Sequence, residues 1–273
     1  MATSFEFWLV GEDPDHLSAV GEAALDEVSR VERLLSRYDR ASEISRINQE
    51  AHDHPVRIDR ELFSVVSDCL GWLDKTLGYF DITADCTPNS GKWVTLDPDR
   101  QTVRLLHPSI RLDLGGYGKG YALEVAARVL EEFGIGSAVL HGGTSSILIR
   151  GRQADGSRWR IGLRDPFSTV ENSELIQVDL DDSGISTSAV FHPGADRSDL
   201  MDPIRGQPLE EPAACSVIGR SATEAEVLST ALLAMGRDRA REFVTRWPEI
   251  LVAWIAGVDE VVAIEWLGQG GRP

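Results

Sequence analysis

The sequence predicts an α+β fold, and three observations predict it. Long stretches with helical spacing of apolar residues stand among many short apolar runs of strand type. The two kinds do not alternate strictly, which argues against a doubly wound parallel sheet. The chain has 273 residues, 42% of them hydrophobic, enough for a substantial core. We expect a unit spanning 1–273, either one compact domain or two intimate lobes.

Taken in order, residues 3–10 alternate as a strand. From Asp15 to Tyr38, the residues Leu17, Val20, Ala24, Val28, Val31, Leu34 and Leu35 recur at steps of three and four and predict an amphipathic helix. Ser42 to Asn48 reads as a short capped turn. Asp59 is an N-cap for a second helix running through Leu62, Phe63, Val66, Leu70, Leu73 and Leu77 to Gly78. Tyr79 to Thr83 follow, and residues 86–100, with Pro, Asn, Gly and Asp, read as loop. A helix carrying Tyr121, Ala122, Val125, Ala126, Val129, Leu130 and Phe133 ends at Gly134. Strands are expected at Ser137–Leu140, Ser146–Arg150, Trp159–Leu163, Leu175–Leu180, Gly184–Phe191 and Ala214–Ile218. Helices at Ala222–Met235 and Arg239–Trp247 and strands at Ile250–Ile255 and Glu260–Trp266 complete the order. The polar stretch Phe191–Pro212 is the best candidate for a functional loop.

Leu112 to Glu124 is the most informative segment. A strand-like lead-in meets three glycines and Lys119, and a helix opens directly behind them. Such a turn is either an ordinary strand-to-helix connection or a cradle for an anion, since it presents backbone N–H groups and the positive end of a helix. It matches neither the Gly-x-x-x-x-Gly-Lys-Ser/Thr phosphate loop nor the dinucleotide-binding glycine pattern. The helix dipole disfavours a cation in the first turn, so Lys119 needs a reason, and an anion is one.

Composition narrows the partners. Lys and Arg number 27 against 44 Asp and Glu, a net charge of −17. That field repels nucleic acid and anionic lipid, so neither is an expected partner. It repels an anionic nucleotide too, so phosphate binding would need a local cation, Lys119 or a metal. Cys69, Cys86 and Cys215 are widely spaced and odd in number, which argues against structural zinc or a disulfide framework. No signal peptide and no apolar run of membrane-spanning length is visible. A cytoplasmic protein with reduced thiols is the expectation, although a chain with its leader removed would look the same.

Seven segments, in order, resemble one family. Leu112 to Glu124 resembles the Asp-Leu-Gly-Gly-Ile-Ala-Lys-Gly-Tyr-Ala motif of the FAD:protein FMN transferases, formerly described as thiamine-biosynthesis lipoproteins. Met1 to Thr3 resembles their N-terminal Met-Gly-Thr, and Ser36 to Asn48 their second motif. Gly78 to Asp81 resembles Gly-x-Phe-Asp, and His141 to Gly143 resembles Asn-x-Gly-Gly. Asp202 to Gly206 resembles the end of His-x-x-Asp-Pro-x-x-Gly, and Ala225 to Ala231 resembles Ala-Asp-Ala-Leu-Ser-Thr-Ala. The resemblance implies Mg²⁺-dependent splitting of FAD, with transfer of FMN to a threonine of a separate acceptor protein, or to water, and release of AMP. It implies metal ligands at the Gly116 carbonyl, Glu226 and Thr230, the last two on one helix face at i and i+4. It implies FAD contacts at Met1, Tyr38, Phe80, Asp81, Asp113, Lys119, Gly142, Gly143 and Leu200. Tyr38 would stack on a flat ring, and Lys119 would neutralise phosphate.

Three positions depart from the family pattern. The metal-binding Asp is Glu226, the histidine of His-x-x-Asp-Pro is Asp199, and the acid of a Thr-Ser-Gly-Asp turn is Val190. Asp199, His192 and Asp202 are then the candidate acid/base groups. These changes leave two readings open: a working flavin transferase or FAD pyrophosphatase with an altered site, or a relative that binds FAD or another nucleotide as carrier or sensor.

Overall fold

The structure is a computed structural model and describes residues 3–83, 88, 90–168, 173–190, 200–258 and 261–268. In chain order the first elements are β1 (Phe5–Leu9), α1 (Pro14–Leu35), α2 (Glu43–Glu50), β2 (Val56–Arg57) and α3 (Arg60–Lys75). A 3₁₀ turn at Ser90–Trp93 leads to β3 (Val94–Asp97), β4 (Thr102–Leu105) and α4 (Gly118–Glu132). Then come β5 (Ala138–Gly142), β6 (Ser146–Arg150), β7 (Trp159–Arg164), β8 (Glu174–Leu180) and β9 (Gly184–Val190). β10 (Met201–Asp202), β11 (Gln207–Pro208), β12 (Ala213–Gly219), α5 (Ala222–Met235), α6 (Arg237–Val244), β13 (Leu251–Val258) and β14 (Val261–Leu267) finish the order.

The fold is α+β, as the mixed pattern predicts. Among the described residues, β1-β5-β6-β9-β12-β13-β14 form one sheet, every neighbouring pair antiparallel. Leu140 faces the helical side with Ala138, while Val139 faces the β7–β8 ribbon with Ile149, Ile161 and Val178. The alternation of β5 thus serves two cores, one on each face of the sheet. β12 is buried at all seven positions, which is why its sequence reads as an unbroken run of small and apolar residues rather than an alternating one.

Two local readings change. Ser42 to Asn48 is the start of a helix, α2, with the Ser42 hydroxyl accepting from the Ser45 N–H at 3.0 Å. Residues 86–100 contain a strand: β3 pairs with β4 and β4 with β2, in a three-stranded antiparallel sheet. The turn residues of Asp97–Gln101 mask a hairpin whose strands are only four residues long. Asp97 pins that turn by accepting from the N–H groups of Asp99 and Arg100, each at 3.0 Å. Cys69 and Cys215 are buried and unpaired, and burial pushes both thiols up, so neither is a ready nucleophile; Cys86 lies outside the described residues. No helix among the described residues is long and apolar enough to cross a membrane.

Candidate active site

The N-termini of α4 and α5 meet and hold the glycine turn. A Cβ on Gly120 would lie 2.5 Å from the Ala222 carbonyl oxygen, so only glycine admits this approach. Each helix then caps the other. The Glu124 carboxylate of α4 accepts from the Ser221 hydroxyl at 2.5 Å and the Thr223 N–H at 3.2 Å, at the start of α5. The Glu226 carboxylate of α5 accepts from the Gly120 N–H in the first turn of α4 at 2.5 Å and from the Lys119 ammonium. The N-cap position of α4, Tyr117, makes no side-chain cap of its own, so Glu226 supplies the acceptor. The anion that rationalises a lysine at this helix start is therefore the protein's own carboxylate. Glu226 is 2% exposed and Lys119 23%, so the carboxylate is buried while the ammonium is partly open to solvent.

The turn itself is pinned from three sides. Asn48 brackets the backbone of Leu112, donating to its carbonyl at 2.9 Å and accepting from its N–H at 2.6 Å. Asp113 accepts from the Gly115 N–H at 2.9 Å and pairs with Arg37 at 3.0 Å. The Tyr117 hydroxyl donates to Asp68 at 3.0 Å. Asn48 belongs to the Ser36–Asn48 segment, yet nothing in its spacing marks it as a partner of a residue 64 positions on.

Beside this turn lies a cavity of about 110 Å³. Phe80, Asp81, Asp113, Gly116, Leu200 and Thr230 all line it, so six residues singled out in the sequence converge from the α3–β3 connection, the glycine turn, β10's approach and α5. The site of a Cβ on Gly116 is 3.5 Å from the Thr230 hydroxyl and 3.3 Å from the Phe80 ring, which places that turn directly against α5. Ser188 of β9, a residue the sequence reading passed over, hydrogen-bonds the hydroxyls of Thr230 at 3.1 Å and Ser229 at 2.9 Å. A larger cleft of about 610 Å³ shares Tyr79 and Leu209 with the cavity and extends toward the C-terminal end of α5.

Other expected residues are placed differently. Tyr38 falls beyond the end of α1 and is 78% exposed, so it is not a core aromatic. The Arg37 guanidinium lies 5.0 Å from the centre of its ring, linking Tyr38 to Asp113. Gly142 and Gly143 do not line the cavity; added Cβ atoms there would meet Phe5 and Thr3. Asp81 directs its carboxylate into its own loop, accepting from the Thr83 N–H and hydroxyl and from the Gly91 N–H at 2.8, 2.6 and 3.0 Å. Asp202 is buried and pins the turn that follows it, accepting from the N–H groups of Ile204 and Arg205 at 2.8 and 3.0 Å. It lines the larger cleft. Met1, His192 and Asp199 lie outside the described residues.

The donors at the junction are of the hard-oxygen type: the Glu226 carboxylate, the Thr230 hydroxyl one helical turn on, and the carbonyls of the glycine turn. Among the described residues no three His, Cys, Asp or Glu side chains cluster as a metal site. The Lys119 ammonium, bonded to Glu226 and 3.4 Å from the Gly115 carbonyl, is itself a cation held by a carboxylate and a carbonyl. That stand-in shows that the junction suits a positive charge.

Comparison with known proteins follows the same lines. The FAD:protein FMN transferase of Klebsiella pneumoniae (strain 342) is 27% identical over 278 residues, covering 89% of this chain and 79% of the relative. That of Escherichia coli (strain K12) is 26% identical over 283 residues, covering 90% and 79%. The flavin transferase ApbE from Vibrio cholerae superposes with a TM-score of 0.82 at 23% identity, over 98% of this chain and 94% of that one. The ApbE protein from Thermotoga maritima does so at 0.82 and 23%, over 96% and 93%. A model of the ApbE family matches residues 1–90 and 84–254, and the chain belongs to the ApbE family.

Proposed function

We propose that this protein is an FAD:protein FMN transferase. The observation that carries the reading is the convergence of Phe80, Asp81, Asp113, Gly116, Leu200 and Thr230 on one cavity beside the Lys119–Glu226 pair. The relatives named above carry the transferase description, which supports an enzyme over a carrier or sensor. In the proposed reaction a threonine hydroxyl of an acceptor protein attacks the FMN phosphorus of FAD. The new O–P bond forms as the pyrophosphate P–O bond breaks, AMP leaves with the bridging oxygen, and the hydroxyl proton passes to a base. With water in place of the hydroxyl, the products are free FMN and AMP.

The protein's part in such a reaction is mainly positioning and charge neutralisation. Lys119 offers a mobile ammonium to phosphate oxygens. Arg37 and Asp113 fix the outer wall, and Tyr38 offers an exposed ring for stacking. Mg²⁺ would be held by Glu226, Thr230 and the Gly116 carbonyl, and when bound it would withdraw charge from the pyrophosphate.

The test is to incubate purified protein with FAD and Mg²⁺, with and without EDTA and with a threonine-bearing acceptor domain, and to follow FMN, AMP and flavinylated acceptor by chromatography. Metal-dependent AMP release together with acceptor labelling is the expected result. AMP release without labelling by any acceptor would reassign the protein to FAD hydrolysis. FAD bound but left intact would overturn the enzymatic reading.

A further inference from the structure

We propose that Lys119 is a resident cation that competes with a divalent ion for Glu226, so that metal entry and release of Lys119 toward phosphate are one exchange. The proposal rests on the metal reading above and adds to it an order and a coupling. Both Glu226 oxygens are engaged, one by Lys119 and one by the Gly120 N–H. Each oxygen keeps a second lone pair, but a divalent ion and an ammonium on one buried carboxylate repel each other, so entry of the ion drives a partner off. The Gly120 amide is part of the helix backbone at a crossing too tight for a Cβ, so it stays. The ammonium, on a flexible four-carbon stem and only partly buried, is the partner that can leave.

The reverse step is costly without the ion. If phosphate drew Lys119 away alone, a carboxylate 2% exposed would remain with one neutral donor, and an uncompensated buried charge is strongly destabilising. Metal and nucleotide therefore bind cooperatively. Each raises the affinity for the other by the same factor, because each removes the cost the other would bear.

The experiment measures Mn²⁺ binding in the absence of nucleotide, by the paramagnetic resonance of free Mn²⁺, in wild type and in the Lys119→Met and Lys119→Arg variants. Lys119→Met keeps the stem and removes the competitor, so Mn²⁺ should bind about tenfold tighter or more. Lys119→Arg keeps a cation whose fork grips a carboxylate more firmly, so Mn²⁺ should bind more weakly than in wild type. The Arg arm separates exchange from plain charge repulsion, which would leave Arg and Lys alike, and it stands by itself should the Met variant not fold. Affinity unchanged or lowered in Lys119→Met, or equal to wild type or tighter in Lys119→Arg, would overturn the exchange alone. Absence of Mn²⁺ binding in all three proteins would overturn the metal reading and the exchange with it.

Discussion

His141 fills the variable position of the family's Asn-x-Gly-Gly turn, and its surroundings make it a pH-sensitive position. It lies on β5 opposite Glu6 of β1, with its ring edge-on to Trp8 at 4.8 Å between centroids. Burial lowers its affinity for a proton from the ordinary 6.5, with Glu6 opposing in part. The folded protein therefore resists protonation of this ring while the unfolded chain accepts it. As pH falls below 6.5 the unfolded state binds more protons, so stability declines until the folded pKa is passed. Above 6.5 the contribution is complete. In His141→Asn, the fall in Tm between roughly pH 8 and pH 5 should be shallower than in wild type. Parallel curves for the two proteins would show that His141 carries no linked proton.

At the level of elements, the crossing of α4 and α5 decides the site, because it places a glycine turn, a lysine and two capping carboxylates within one junction. The Cβ of Gly120→Ala would lie 2.5 Å from a backbone oxygen, which no rotamer change relieves. The helices must separate, and we expect a loss of about 3 kcal/mol, at the upper end for overpacking. Denaturant unfolding measures it, and a loss below about 0.5 kcal/mol would mean that the crossing is loose. The separation would also draw Glu226 from the Gly120 amide, so nucleotide affinity should fall with stability. Much of this junction is legible in the sequence: the glycines, Lys119, the Glu226–Thr230 spacing and both helices are local patterns. The capping of α4 by Glu226 is not, because the two residues are 106 positions apart and each satisfies a helix rule by itself. Asn48, Arg37 and Ser188 escape for the same reason, since their roles are set by what the fold brings opposite them. The short strands β3 and β4 escape because turn residues dominate so brief a window.

For the molecule as a whole, the net charge of −17 sets a long-range field that opposes an anionic dinucleotide, while Lys119 and Arg37 attract it at short range. The two have different reach. At about 0.01 M ionic strength the screening length is about 30 Å and the whole charge is felt; at about 0.15 M it is about 8 Å and only the local cations count. The association rate of FAD should therefore rise with added salt across that range, the reverse of a steered encounter between opposite charges. Stopped-flow quenching of flavin fluorescence measures it. A rate that falls with salt would mean that the local cations govern the approach as well as the bound state. Both of these cations are already paired with carboxylates, Lys119 with Glu226 and Arg37 with Asp113. Their outward field is thereby reduced, which is why the long-range repulsion should prevail at low salt.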